Sequence, residues 1–80
     1  MELRFTQSSR KHRIGKTHAK HVLSTSEPWI HGEEGTTRII YDWRGFDERG
    51  VEIEITGILE EGYIAIIHVM PTSFRRDRKG

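Results

Sequence analysis

The sequence has 80 residues, a formal net charge of +1 and no cysteine, with 34% hydrophobic and 31% charged residues. A chain of this length makes one domain with a modest core, and the lack of cysteine excludes disulfides and thiolate metal sites. No run of about 18 apolar residues and no apolar signal-peptide stretch occurs, so we expect one soluble, cytoplasmic domain over residues 1–80, without a membrane partner.

The charges are segregated along the chain although they nearly cancel. Nine of the thirteen Lys and Arg residues lie in two clusters, one between residues 10 and 21 and one at the C-terminus. Ten of the twelve acids lie between Glu27 and Glu61. This pattern predicts a positive surface opposite a negative one after folding.

The first half of the chain predicts one short strand and one helix. Leu3 and Phe5 alternate with polar residues, which is typical of a strand with one buried face. A helix is predicted from about Lys16 to Ser24, because apolar residues there follow helical spacing and Pro28 follows shortly afterwards. Its apolar stripe consists of Ala19, Val22 and Leu23.

The second half is rich in strand signals. The run from Thr36 to Trp43 is β-branched and aromatic, a polar turn spans residues 44–50, and residues 51–59 alternate between apolar and polar. Residues 63–70 are nearly all apolar, as expected for a central strand covered on both faces, and a short helix is predicted after Pro71. We therefore predict an α+β fold with a small antiparallel sheet of three to four strands, one amphipathic helix packed on it and a short C-terminal helix.

Two histidines are candidates for proton transfer. Arg10-Lys11-His12-Arg13 combines permanent positive charge with an imidazole, a pairing suited to holding a phosphodiester and moving a proton, although a solvated basic loop is the alternative. His68 interrupts an apolar run near the end of the last strand. It is either a core histidine bonded to a backbone carbonyl or a general acid or base projecting from the sheet.

Two other groups of side chains have competing interpretations. His18 and His21, three residues apart on the predicted helix, could share a metal ion if a third ligand approached, but we expect surface histidines and no metal. Aromatic residues can stack on RNA bases, but in a small domain they are expected in the core. This second group is Trp29, Tyr41, Trp43 and Phe74.

The order of these pieces resembles the BrnT family of small ribonuclease toxins, whose fold is related to that of the RelE toxins. The similarity runs from about Arg10 to Arg76. It rests on Lys11-His12-Arg13-Ile14, a short amphipathic helix with Ala19 and Val22, and a sheet ending in Ile66-Ile67-His68-Val69-Met70. One position departs from the pattern, because the family usually has arginine at the end of the last strand where this chain has Met70.

The resemblance implies the toxin of a toxin–antitoxin pair, an endoribonuclease that cleaves RNA by attack of a 2′-hydroxyl on the adjacent phosphorus, with no metal or cofactor. It implies two sets of site residues. The catalytic residues would be His12, His68 and Lys11, and the phosphate-binding residues would be Arg10, Arg13, Lys16, Arg75 and Arg76. It also implies a small antitoxin partner, whose basic segment would meet acids that otherwise face water. These acids are Glu52, Glu54, Glu60 and Glu61.

Two alternatives remain open from the sequence. The chain is also compatible with a noncatalytic module that binds nucleic acid or protein and derives from a toxin-like fold, which Met70 favours. A regulatory protein acting through its acidic residues is the third class. A homo-oligomer is compatible with each of them.

Overall fold

The structure is a computed structural model that describes residues 2–10 and 12–77, with side chains up to Phe74. Its elements are β1 Glu2–Phe5, a 3-10 helix at Gln7–Arg10, α1 Lys16–Thr25, β2 Trp29–Gly32, β3 Ile39–Phe46, β4 Glu52–Leu59, β5 Tyr63–Pro71 and α2 Thr72–Asp77. The α+β class is confirmed, as are the first strand, the helix from Lys16 and the last two strands. Neither helix in this described part is long and apolar enough to cross a membrane.

The sheet is larger than predicted and is mixed. Its five strands lie in the order β1-β5-β4-β3-β2, and β1 runs parallel to β5 whereas all other pairs are antiparallel. The prediction of an antiparallel sheet of three to four strands was therefore wrong. β1 is followed by the 3-10 helix and α1 rather than by a hairpin, so its direction in the sheet was not restricted to antiparallel. β2 was missed because it is a short edge strand whose Trp29 and Ile30 stay exposed, leaving no alternation of buried residues.

The predicted turn at residues 44–50 was too long. β3 continues through Arg44, Gly45 and Phe46, which pair with β4. A β-carbon on Gly45 would lie 3.2 Å from the β-carbon of Ser26, at the end of α1. Glycine here allows close approach of the helix rather than a turn, which is the other common use of glycine in a strand.

The face of the sheet against α1, the covered face, holds the apolar core. Ala19 and Val22 of α1 are fully buried on it. The sheet residues of the covered face in this core are Trp43, Ile53, Ile55, Ile64, Ile66 and Val69. The stripe predicted for α1 is thus confirmed, with Leu23 partly buried at its margin.

A β-bulge in β5 changes which residues face the core. Thr56 of β4 pairs with His68, but Gly57 pairs with Ile66, so Ile67 is the additional residue. Regular alternation would place His68 on the same face as Ile64 and Ile66. The bulge instead places Val69 in the core and turns His68 to the opposite face, as bulges do next to many functional sites.

Candidate active site

The sheet face opposite α1, the open face, carries a row of polar side chains across four strands. Trp29 of β2 pairs with Asp42 of β3, Asp42 pairs with Thr56 of β4, and Thr56 pairs with His68 of β5. Cross-strand partners point to the same face, so this row brings an indole, a carboxylate, a hydroxyl and an imidazole onto one surface.

Hydrogen bonds hold the two carboxylates of the open face. Thr56 Oγ1 donates to Asp42 Oδ1 at 2.8 Å, and His31 Nε2 lies 2.7 Å from Asp42 Oδ2. His68 Nε2 lies 3.2 Å from Glu54 Oε1, and a guanidinium nitrogen of Arg44 lies 3.9 Å from Glu54 Oε2. The His68 ring is therefore oriented by the carboxylate of Glu54, which fixes its position.

His12 and His68 come together on the open face, and we refer to them as the histidine pair. Their ring centroids lie 6.1 Å apart at an interplanar angle of 80°, and Phe74 of α2 lies 5.4 Å from His12, edge to face. Three elements converge here, because the segment after the 3-10 helix carries His12, the bulge presents His68 and α2 supplies Phe74. At this spacing both rings can contact one phosphodiester group.

The predicted phosphate-binding cations are placed in different surroundings. Arg10 and Arg13 are exposed on either side of His12 in sequence, and Arg13 adopts a left-handed conformation with φ 58°. The ammonium of Lys16 lies 5.7 Å from the ring centroid of Phe5, at the edge of the covered face. Lys11 lies outside the described residues, and so do the side chains of Arg75 and Arg76.

Arg44 is a cation that sequence reasoning missed. It lies in a second row of the open face, where Arg44, Glu54 and Met70 are cross-strand partners. Met70 occupies the position where the resemblance would place arginine, and it is buried. Residues 42, 44 and 46 alternate along β3 and therefore point to the same face of the sheet, which could have identified Arg44. The prediction of a turn at Arg44 concealed this alternation.

His18 has acidic neighbours, but one of them is already fully engaged. His18 Nδ1 lies 2.5 Å from Glu48 Oε2 and 3.8 Å from Asp47 Oδ2, and these are the residues that could hold a cation. Asp47 accepts hydrogen bonds from the backbone N–H groups of Arg49 and Val51 and from the Arg49 guanidinium. Desolvation raises the pKa of Asp47, but these hydrogen bonds outweigh it and lower that pKa to about 2. The cluster closes the β3–β4 turn beneath the first turn of α1.

The aromatic residues divide between core and surface. Trp43 is buried with Tyr41 stacked beside it at 5.8 Å, as expected. The expectation was wrong for Trp29 and Phe74, which are 67% and 43% exposed. Trp29 belongs to the edge strand, where no helix covers it, and its indole stacks on His31 at 4.0 Å.

A cavity of about 330 Å³, the Trp29 pocket, opens on the open face. It is lined by Trp29, Asp42, Trp43, Arg44, Glu54 and Thr56. His31 stacks on Trp29 at 4.0 Å and is not among the residues that line the cavity. The pocket and the histidine pair share Glu54 as a neighbour.

The acids proposed as an antitoxin contact do not form one surface. Glu54 is 8% exposed and bonded to His68, so it is not a solvated side chain. Glu52 accepts a hydrogen bond from Thr72 Oγ1 at 2.8 Å. Glu60 and Glu61 follow the opposite end of β4, where they are exposed.

Comparisons of the chain with protein-family models, with curated proteins and with solved structures gave no match. The resemblance to BrnT toxins and the RelE-related fold therefore stay predictions.

Proposed function

We propose that the protein is a metal-independent endoribonuclease in which the histidine pair transfers the protons. The observation that supports this most is the 6.1 Å separation of the His12 and His68 rings on the uncovered face of the sheet. Metal-free cleavage of RNA needs one group to accept the 2′-hydroxyl proton and another to protonate the departing oxygen. Two imidazoles beside one phosphodiester supply both functions.

The roles of the neighbouring residues follow from their contacts. One imidazole takes the 2′-hydroxyl proton while the 2′-oxygen bonds to phosphorus. The other gives a proton to the 5′-oxygen as the P–O5′ bond breaks, which leaves a 2′,3′-cyclic phosphate and a 5′-hydroxyl. Glu54 positions His68, and the exposed side chains of Arg10 and Arg13 are the candidates for stabilising charge on the phosphate oxygens.

Cleavage of a single-stranded RNA in EDTA tests this proposal. His12→Ala and His68→Ala should each lower the rate by about 10²–10⁴-fold, because each removes one proton-transfer group. His21→Ala, a histidine of α1, is the matched control and should cleave like the wild type. Replacing the ribose at the cleaved bond with 2′-deoxyribose should abolish the reaction.

Each variant needs a thermal melt beside the activity measurement, since Glu54 is nearly buried and loses a partner in His68→Ala. Glu54→Gln separates the two effects. It should reduce cleavage and change the pH profile while the fold is retained. Cleavage unaffected by either histidine substitution in folded protein would refute the assignment.

We further propose that the enzyme is the toxin of a toxin–antitoxin pair, as the BrnT resemblance implies, with a small antitoxin covering the open face. The 60% exposure of Phe46 and the 67% exposure of Trp29 on that face support a partner there. Induced expression should stop growth only with an intact histidine pair. Co-expression of the product of the adjacent gene should restore growth.

A noncatalytic RNA-binding module is the second candidate function. The exposed aromatic residues Trp29 and Phe46 and the 60% exposed side chain of Arg44 favour it, because aromatic rings with arginine bind single strands without chemistry. Binding with a steep salt dependence and no cleavage would support this candidate.

A further inference from the structure

The Trp29 pocket has a shape and a lining that suit one planar polar ring. Its lining combines an aromatic residue, Trp29, with an acid, Asp42. Arg44 also lines the pocket, and 60% of its side chain is exposed. A flat aromatic ligand can stack on an exposed indole, and polar groups on its edge then decide which ligand is preferred.

Asp42 is held so that it can accept further hydrogen bonds. Its Oδ1 accepts from Thr56 and its Oδ2 contacts His31, which fixes the side chain while leaving capacity on both oxygens. The Asp42 side chain is 37% exposed, and the residue lines the pocket. Its two oxygens can therefore receive two parallel N–H donors from a ligand.

We propose that the Trp29 pocket binds guanine, as the base subsite of the RNA substrate; this rests on the proposed ribonuclease function. Guanine is the base that presents two adjacent donors, N1–H and the N2 amino group, to a carboxylate. Its O6 and N7 acceptors suit the guanidinium of Arg44. Adenine and cytosine each offer one amino group beside an acceptor nitrogen, which the Asp42 carboxylate would repel.

The location of the pocket supports the same ligand. Asp42 and His68 are separated by one intervening strand in a row of the sheet, which is roughly 10 Å at the usual strand spacing. One nucleotide can span that distance from its base edge to its phosphate. A guanine in the pocket would thus place its own 3′-phosphate beside the histidine pair.

Binding of 2′-O-methyl tetranucleotides tests the pocket without cleavage, because the attacking hydroxyl is blocked. Tryptophan fluorescence or calorimetry should show tighter binding of a guanine-containing ligand than of its adenine, cytosine and uracil counterparts, by roughly tenfold or more. Inosine lacks the N2 amino group and should lose much of that preference. Equal affinity for all four bases would refute the proposal.

Three variants sharpen the result. Asp42→Asn should reduce the guanine ligand to the affinity of the adenine ligand, while Glu33→Gln, an exposed acid in the β2–β3 loop, should change nothing. Trp29→Ala should weaken all bases together, because stacking does not depend on base identity. A guanine preference that persists in folded Asp42→Asn would also overturn the assignment.

The two proposals fail in different ways. RNA cleavage that depends on the histidine pair, combined with equal binding of the four bases, would leave the ribonuclease standing and remove the guanine subsite. Guanine-selective binding that depends on Asp42, without any RNA cleavage, would leave the subsite standing and remove the ribonuclease.

Discussion

The two faces of the sheet carry different kinds of side chains. The covered face is closed by α1 and consists of fully buried aliphatic side chains such as Ile53, Ile55 and Ile66. The open face carries the hydrogen-bonded acids and histidines together with exposed aromatic rings. Apolar burial is the main favourable contribution to folding, so the covered face holds the fold together and leaves the open face available for chemistry.

Alternate residues of β4 contribute to the stability of the fold and to the candidate site. Ile53 and Ile55 face α1, whereas Glu54 and Thr56 between and after them belong to the candidate site. Substitutions at consecutive positions of β4 should therefore have different effects. Substitutions on the covered face should lower the free energy of unfolding, and substitutions on the open face should change RNA binding or cleavage.

Shortening a core side chain should give the largest loss of stability. Ile55 is fully buried, so Ile55→Ala should lower the free energy of unfolding by about 2–5 kcal/mol through lost burial and a residual cavity. Ile30→Ala is the matched control, because Ile30 is 52% exposed at the edge of the sheet and should change stability by about 0.5 kcal/mol or less. Urea unfolding followed by circular dichroism measures both. Both side chains lie on the covered face and differ in burial, so similar losses in the two variants would show that burial does not set the cost of shortening them.

Adding a methyl group at Gly57 should give the next largest effect. Its β-carbon would lie 2.6 Å from Ile64 Cγ2 and 3.2 Å from Ile66 Cδ1, on the covered face beside the bulge. Gly57→Ala should cost about 1–3 kcal/mol through overpacking. Gly32→Ala is the control, since the nearest atom to its β-carbon is 4.0 Å away. Equal urea midpoints for the two variants would show that Ile64 moves aside at no cost.

The sequence was sufficient for the elements whose period is uninterrupted. The stripe of α1 and the alternation of β4 follow directly from the spacing of their apolar residues, which keeps the period of a helix in α1 and of a strand in β4. The two errors in β2 and β3 have a common cause. Gly45 was taken as part of a turn and Pro28 only as the end of a helix, although Gly45 serves close packing against α1 and Pro28 precedes an edge strand.

The candidate site could be predicted only in part. His12 and His68 were named from their chemistry, and their meeting requires the bulge at Ile67, which reverses the parity of β5. No local pattern marks this bulge, because residues 63–70 form one nearly continuous apolar run that only His68 interrupts. Arg44 was missed and Trp29 was expected in the core, because their relation to His68 exists only through cross-strand register, which a single sequence does not specify.

Asp47 and Asp42 allow the contribution of a carboxylate to stability to be compared between the two sides of the sheet. Asp47 is buried on the α1 side, and Asp42 lies on the open face. The Asp47 side chain is fully buried and its pKa is lowered from 3.8 to about 2. A lowered pKa in the folded state means that the ionised form stabilises the fold. That contribution is complete above about pH 4, declines as the pH falls towards 2, and is absent below that value.

Asp47→Asn should therefore be less stable than the wild type at pH 7, and the difference should shrink between pH 4 and pH 2 as the wild type loses its ionised carboxylate. The pKa values of Glu2 and Glu48 are also lowered, the first mainly by its hydrogen bond with Arg4 and the second mainly by its own backbone N–H. The contribution of Glu2 is the same in wild type and variant and cancels in the difference, whereas the charge of Asp47 raises the pKa of Glu48, so removing that charge lowers the pKa of Glu48 further. Asp42→Asn should change stability less than Asp47→Asn at pH 7 because its carboxylate has fewer donors and remains partly hydrated. Urea midpoints at pH 7, 4 and 2.5 measure these differences, and a constant gap between Asp47→Asn and the wild type would show that the Arg49 contact contributes nothing through charge.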